Sequence, residues 1–299
     1  MVEETRKKLN SLLIRFSPII SDELFIRIQY RLLKGGRLNL SKPATMDEKL
    51  QWLKIHNRDP RLTQLVDKLA VKQYIAETIG EQYVCPVLKT WDSVGDISLD
   101  DLPDSFVLKT NHSGGNTGVV LCKDKSSFDL EAAKEKLESA MHTDIYRRYR
   151  EWPYKNVPHR VFAEKYLGDN LTDYKFYCFN GTADCVLTCV DRQLGDPKFY
   201  FFDRDWKLCR YNKRGKEAPA DFTLPRPGNI DELFDLAALL SKGFPFVRMD
   251  FFDVDGKIYF GEFTFYPASG YDPNRLPETD LMFGNKIDLG LIRKSNYHN

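Results

Sequence analysis

The stretch between Phe244 and Tyr271 constrains this chain most, because it reads as a β-hairpin with charged groups at matched depth on both strands. Two runs rich in Phe, Val, Ile and Tyr flank the turn signal Asp253-Val254-Asp255-Gly256. Arg248 and Asp250 interrupt the first run, Glu262 and Thr264 the second. Strand side chains alternate faces, so Arg248 shares a face with Asp250, and Glu262 shares one with Thr264. Whether the two pairs meet depends on the turn. A two-residue Asp255-Gly256 turn puts Asp250 and Glu262 on opposite faces. A three-residue loop with left-handed Gly256 puts both on one face, within cross-strand reach. Carboxylates that close repel each other unless a cation lies between them, and a hard divalent ion such as Mg²⁺ takes that kind of oxygen site. Neutralising either one is then expected to stabilise the metal-free protein slightly. The plainer reading is a hairpin with one solvated face, and the rest of the chain decides between them.

The 299 residues leave room for one large domain or two modest ones. With 44 basic and 43 acidic residues the net charge is +1, so no global field points to nucleic acid and no nucleic-acid partner is expected. Cys85, Cys122, Cys178, Cys185, Cys189 and Cys209 form no CxxC pair, and several lie in apolar, strand-like runs. They read as free thiols of a reducing, cytoplasmic compartment, with no metal at Cys178, Cys185 or Cys189. Cys185 and Cys189 share one strand face about 13 Å apart, too far to bridge. The charged first ten residues do not read as a signal peptide, and no segment is long enough to span a bilayer.

Helices are expected from Glu3 to about Arg58, where Leu12, Leu13 and Phe16, then Leu24, Phe25 and Ile28, recur at helical spacing. Gly35-Gly36 ends one run, and Thr45 with Glu48 forms a capping box that opens another. Arg6, Lys7, Lys8, Arg15, Arg27 and Arg31 give this region a basic face, suited to solvent, to an anionic membrane surface or to a partner. A helix over Leu62–Ile79 carries Lys68 and Lys72 one turn apart, and a short strand follows at Val84–Leu88. The strand Phe106–Thr110 contains Lys109 and leads through Asn111-His112-Ser113-Gly114-Gly115-Asn116-Thr117-Gly118 into a second strand. Glycines there let backbone N–H groups converge on a phosphate, although a loop joining two strands is no Walker A motif. His112 reads as a loop hydrogen-bonder. Next come a helix from Leu130 to about Tyr149 and a strand over Arg160–Leu167. A hairpin turning at Asn180-Gly181, a hairpin over 198–208 and a helix over Asp231–Lys242 complete the reading. Arg192, Lys198, Arg210, Lys213 and Arg214 form a charge run that lines an anionic substrate or simply faces water.

Strand-lysine, glycine hairpin, helix, a Glu-Lys-Tyr-Leu strand, antiparallel strands, then Arg-x-Asp and a carboxylate hairpin: this order resembles the ATP-grasp superfamily. The FYCFNG and GEFTFYPASG runs resemble more narrowly its TupA-like branch, named from teichuronopeptide synthesis, over roughly Leu62–Gly290. The resemblance implies an α+β ATP-grasp fold, two α+β lobes whose antiparallel sheets clamp nucleotide, preceded by a helical N-terminal region. It implies a helical region and reduced pre-ATP-grasp segment over 1–100, a lid lobe with the glycine loop over 101–163, and a C-terminal lobe with the metal hairpin over 164–299. ATP and Mg²⁺ are the implied cofactors. Lys109, with Lys72 or Lys68, would meet phosphates beneath Ser113, Gly114, Gly115 and Gly118. Glu164, Lys165, Tyr166 and Leu167 match an adenine hinge, with the Lys165 and Leu167 backbone at the base edge, and Asp173 matches a ribose-binding or substrate-facing acid. Asp250 and Glu262 match metal carboxylates, and Arg248 joins Lys109 as a catalytic group. Thr264 stands where many members carry Asn as a further ligand, and its hydroxyl is equally hard but shorter and differently aimed.

The implied reaction is carboxylate activation by ATP to an acyl phosphate, from which an amine displaces phosphate. The branch name implies cell-surface polysaccharide or polyanion biosynthesis, a small-molecule or glycan-linked substrate, and peripheral contact with membrane or with that machinery. A kinase acting on a sugar hydroxyl and a non-catalytic nucleotide-binding scaffold are the alternatives.

Overall fold

Local signals set the N-terminal helices. In the computed structural model, which describes residues 2–169, 171–190 and 197–295, α1 (Val2–Arg15) is followed by α2 (Asp22–Lys34). Ser21 Oγ caps α2 by accepting from Leu24 N–H, and Gly35 ends it at φ 79°, a left-handed conformation that a glycine adopts without strain. α3 (Met46–His56) opens on the expected capping box, with Thr45 accepting from Glu48 N–H and Glu48 reaching back. The single helix expected over 62–79 is two helices, α4 (Arg61–Val66) and α5 (Ala70–Thr78). Asp67 lies in extended backbone and its carboxylate accepts from the N–H groups of Leu69 and Ala70, which closes one helix and starts the next.

Strands β1 (Val87–Trp91), β2 (Phe106–Thr110) and β3 (Val119–Cys122) precede α6 (Leu130–Met141) and α7 (Ile145–Tyr149), so the helix expected over 130–149 is also interrupted. Then follow β4 (Val161–Lys165), β5 (Leu171–Phe179), β6 (Thr182–Val190), β7 (Lys198–Phe202) and β8 (Leu208–Cys209). After α8 (Lys213–Glu217) and α9 (Ile230–Leu240) come β9 (Phe246–Val254), β10 (Lys257–Thr264), α10 (Pro277–Lys286) and α11 (Gly290–Ser295).

The chain divides into two compact units. One comprises Asp59–Tyr146 and Trp152–Leu171, and holds an antiparallel sheet in the order β1-β4-β2-β3. Trp91, Ile97, Phe106, Leu108, Leu137, Val161 and Ala163 form its core. The other comprises Met1–Arg58, Arg147–Glu151 and Thr172–Asn299, and holds a sheet in the order β10-β9-β5-β6-β7-β8.

In this second sheet, Phe176 of β5 and Phe251 of β9 meet on one face, where Phe234 of α9 packs edge-on against Phe176. On the opposite face Tyr177 and Phe179 each pack against both Phe246 of β9 and Phe283 of α10. Strand alternation places Asp173 and Lys175 on the Tyr177 face, and Arg248 and Asp250 on the Phe246 face. One sheet face is therefore aromatic at one end and charged at the other. All six cysteines are free thiols, and among the described residues no helix is long and apolar enough to cross a membrane.

Candidate active site

The hairpin of β9 and β10 turns through Asp255 at φ 52° and Gly256 at φ 85°, with Val254 paired to Lys257. This is the two-residue turn, the alternative that by itself separates the two carboxylates. The strand pairing corrects that outcome. Between Phe260 and Glu262 the register slips by one residue, so that Glu262 faces Asp250 and Thr264 faces Arg248. Gly261 is the extra residue of this bulge. A Cβ on it would lie 2.9 Å from the Asp250 carbonyl oxygen, a separation that only glycine allows without a backbone shift.

All four polar groups thus share one face. Arg248 donates from Nε to Asp250 Oδ1 at 2.6 Å, and from one Nη to Asp250 Oδ2 at 2.6 Å, Glu262 Oε1 at 3.3 Å and Thr264 Oγ1 at 3.0 Å. Thr264 donates to Glu262 Oε1 at 3.1 Å. The cation between the two carboxylates is therefore the guanidinium of Arg248, and carboxylate repulsion alone does not call for a metal here. Lys175 adds a second cation, donating to Asp250 Oδ2 at 2.7 Å and to Asp173 at 2.8 Å. The Asp250 side chain is 2% exposed and that of Glu262 31%. Burial works against the Asp250 charge, yet Arg248 and Lys175 outweigh it and hold the carboxyl below its ordinary range. Burial likewise works against the Lys175 ammonium, but Asp250, with Asp173 and Glu262, keeps its pKa above the ordinary value.

A separate cluster occupies the four-stranded unit. Glu164 of β4, 7% exposed at its side chain, accepts from Lys72 of α5 at 2.5 Å on one oxygen and from Lys109 of β2 at 2.5 Å on the other. The register pairs Val107 with Glu164 and Lys109 with Phe162, so Lys109 reaches its partner diagonally across one sheet face. Burial raises the Glu164 pKa, but the two lysines prevail and hold it below its ordinary value. Of the two upstream lysines, Lys72 joins this triad, while Lys68 donates to the Ser113 carbonyl at the root of the glycine loop.

The loop itself has a buried base and an exposed rim. Ser113 is buried, with its hydroxyl against Thr110 Oγ1, so its side chain is turned inward. Gly114 and Gly115 are exposed, whereas Gly118 is buried. A Cβ at Gly118 would fall 2.0 Å from Thr110 Oγ1. Asn111 braces the base, donating to the Pro158 carbonyl and accepting from Arg160 N–H. His112 is buried and donates from Nε2 to the Ala140 carbonyl at 3.2 Å, as a loop hydrogen-bonder should. Burial pushes its pKa down to about 4. Lys165 donates its N–H to the Pro86 carbonyl and its own carbonyl meets the Cys85 thiol at 3.5 Å. Tyr166 donates to Asp169, and Leu167 is half-buried.

The turn after β10 is the part that sequence reasoning passed over. Ala268 and Ser269 both take left-handed backbone, at φ 48° and 53°, followed by Gly270 at 69°. Such a run is strained and needs surrounding support. Lys54 of α3, fully buried, donates to the Ser269 carbonyl at 2.8 Å with its ammonium 4.9 Å from the centre of the Tyr271 ring. Gln51 donates to the same carbonyl, and Ser269 Oγ donates to Glu151 at 2.5 Å. Burial lowers the Lys54 pKa to about 8 and raises that of Glu151. Lys175 was missed as well, though its spacing of two from Asp173 on a legible strand was a signal. Of the basic run, Arg210 is committed to the carbonyls of Gly215, Lys216, Ala218 and Pro219, and Arg192 lies outside the described residues.

The family model described as TupA-like ATPgrasp matches residues 48–288 of the chain. No curated protein matches. Among solved structures, the D-alanine–D-alanine ligase of Helicobacter pylori is 14% identical with a TM-score of 0.47, over 82% of this chain and 70% of that one. The D-alanine–D-alanine ligase of Bacillus anthracis is 18% identical with a TM-score of 0.45, over 78% and 71%. The D-alanyl-alanine synthetase A of Vibrio cholerae O1 biovar eltor str. N16961 is 11% identical with a TM-score of 0.44, over 84% and 68%. Likenesses this distant carry nothing about the site.

Proposed function

Since the chain belongs to the TupA-like ATP-grasp family, we propose that it uses ATP to activate a carboxylate as an acyl phosphate for attack by an amine. The observation that carries this reading is the shared face of the bulged hairpin, where Arg248, Lys175, Asp250, Glu262 and Thr264 form one connected charge network. Asp250, Glu262 and Thr264 form an all-oxygen donor set on one face, which fits a hard cation, and they are the residues that would hold Mg²⁺. When bound, that ion neutralises phosphate charge during transfer.

In the first step the γ-phosphoryl group passes to a carboxylate oxygen and ADP leaves with the electrons of the broken P–O bond. In the second, the amine nitrogen bonds to the acyl carbon, the C–O bond to phosphate breaks, and a proton is released. Arg248, planar and fixed by Asp250, stabilises negative charge as it builds on the transferring group. Lys175 keeps Asp250 ionised so that this orientation persists.

In the other unit, Glu164 holds Lys72 and Lys109 one carboxylate apart, a spacing suited to neighbouring phosphate oxygens, and Lys109 shares the catalytic role. Gly114 and Gly115 offer backbone to phosphate, and the Lys165 carbonyl and Leu167 backbone read adenine. Asp173 serves ribose or the acceptor. The reading extends to cytoplasmic steps of cell-surface polysaccharide or polyanion synthesis, after the teichuronopeptide synthesis for which the branch is named, with an amino acid and a uronic acid as natural candidates for the joined pair.

The test is ADP release from purified protein with Mg·ATP and a panel of uronic acids and amino acids, run with and without hydroxylamine. A hydroxamate formed with one carboxylate, at a rate matching ADP release, is the expected result. ADP release with a phosphorylated hydroxyl product and no hydroxamate would establish the kinase instead.

A further inference from the structure

The first two helices carry a surface that the proposed chemistry does not use. Of the thirteen large apolar residues that are exposed among the described residues, seven lie between Leu9 and Leu33. Leu9 and Leu12 lie three apart on one side of α1, Phe16 follows four residues on, just past the helix end with its N–H on the Leu12 carbonyl, and Ile19 closes the 3₁₀ turn that comes next (Ser17–Ile19). Their exposures are 46%, 49%, 49% and 83%, while Leu13, on the inward side, is buried at 7%. Leu24 and Ile28 of α2 add a second short row at 51% and 37%. Isolated exposed leucines are ordinary, but a cluster this dense in one short segment marks an interaction site.

Charge identifies the partner. Residues 1–40 hold eight basic side chains (Arg6, Lys7, Lys8, Arg15, Arg27, Arg31, Lys34, Arg37) against four acidic ones, a surplus of four in a chain whose total is +1. On the helical wheel Lys8, which also pairs with Glu4 at 3.0 Å, and Arg15 fall beside the apolar row and Arg6 on its other flank. Long basic side chains at the borders of a Leu/Phe/Ile row suit a helix lying in the plane of an anionic lipid surface, with stems along the acyl boundary and charges among the headgroups. A two-fold contact between copies is disfavoured, because a self-complementary patch would set these cations against their own counterparts.

We propose that α1 and α2 form a peripheral docking surface for an anionic membrane, through Leu9, Leu12, Phe16 and Ile19 with flanking Arg6, Lys8 and Arg15. The experiment is flotation of the full chain with vesicles of phosphatidylcholine alone or with a third of the lipid replaced by phosphatidylglycerol, at low and raised salt, beside sedimentation without lipid. The chain should float with the anionic vesicles, less at raised salt, and only weakly with neutral ones. Phe16→Glu with Ile19→Glu should weaken anionic-vesicle binding at least about tenfold, since burying each large apolar side chain is worth roughly a factor of ten or more. Arg6→Glu with Arg15→Glu should abolish the preference for anionic lipid while keeping the melting temperature. Absence of binding to anionic vesicles, or unchanged binding by the Phe16→Glu/Ile19→Glu variant, overturns the proposal. So does a dimer in sedimentation that those two substitutions dissociate. None of these readouts depends on turnover.

Discussion

Gly261 offers the sharpest test of how the hairpin is built. Replacing it by alanine puts a Cβ 2.9 Å from the Asp250 carbonyl oxygen, 3.2 Å from its carbon and 3.3 Å from the Phe252 ring. The nearest atoms are backbone, so relief must come from moving β9 by about half an ångström or from flattening the bulge. Flattening would set Glu262 opposite Met249, which is wholly buried, and a lone carboxylate there is far more costly than strain. The strand should therefore shift, at about 1–3 kcal/mol for an overpacked site. That corresponds to a melting temperature lower by roughly 2–12 °C. The shifted backbone carries Asp250, so turnover should fall further than stability suggests, by about ten- to a hundredfold, mostly in kcat. Thermal unfolding and ADP release measure the two effects. Gly228→Ala is the control, since nothing lies within 4 Å of its Cβ position. Deleting Gly261 is the complementary arm: an unbulged register then places Glu262 directly opposite Asp250, and activity should survive better than in Gly261→Ala. If Gly261→Ala matches Gly228→Ala in both measurements, close approach does not hold the register and the reasoning fails.

Asp250→Asn should cost about 3–5 kcal/mol in urea unfolding, because Arg248 and Lys175 lose a buried partner, reversing the slight gain expected from carboxylate repulsion alone. Asp250 and Glu164 are both held below ordinary carboxylate values, so their contribution is present above the ordinary range and lost as pH falls through the depressed folded values. Lys175→Met and Lys109→Met should each move acid unfolding to higher pH. Lys54, lowered from 10.5 to about 8, binds its proton less tightly folded than unfolded, so stability should rise with pH across that window. Lys54→Met should flatten this rise, as denaturation midpoints on either side of pH 8 would show. Burial lifts the thiols of Cys85 to about 11 and Cys178 to about 12, and Cys185 well above its usual value. A disulfide reagent should find these three slow in the native protein and all six cysteines after denaturation, and bound zinc or a lower denatured count would contradict this.

Features decided within a few residues were legible in the sequence. The Thr45–Glu48 box and the turn at Asn180-Gly181 are of this kind, whereas the sequence leaves the loop at Asp255-Gly256 open between two and three residues and the strand pairing makes it two. Lys109 and Glu164 each lie on a strand that the sequence marks, but their grouping with Lys72 is not legible there, because Glu164 reads as part of the adenine hinge and nothing separates Lys72 from Lys68. The bulge was not legible either. Turn parity predicts opposite faces for Asp250 and Glu262, and only a close backbone approach five residues beyond the turn restores them to one face. Lys175 depends on β5 lying beside β9, an adjacency set by sheet order rather than by neighbours in the chain. A buried lysine such as Lys54 reads like any solvated helix lysine until the turn that it supports is in place. The helix break at Asp67 was missed because hydrophobic periodicity does not register a carboxylate that caps from within.

The helices at the start of the chain are held by its end. Gln29 meets Tyr271, Asp47 meets Arg275, and Gln51 and Lys54 meet Ser269, pairs separated by 215 to 242 residues. On a ribosome adding roughly 5–20 residues per second, α3 waits on the order of 10–50 s for those partners to be synthesised. Throughout that interval Leu50 and Leu53, buried in the finished protein, lack their eventual cover, and so do the polar groups of Gln51 and Lys54. α3 is thus completed only after that delay, and contacts of such long range make its docking a slow stage of assembly. A nascent chain stalled before Ser269 should present an N-terminal segment open to protease and to chaperones, however well its own helices are capped.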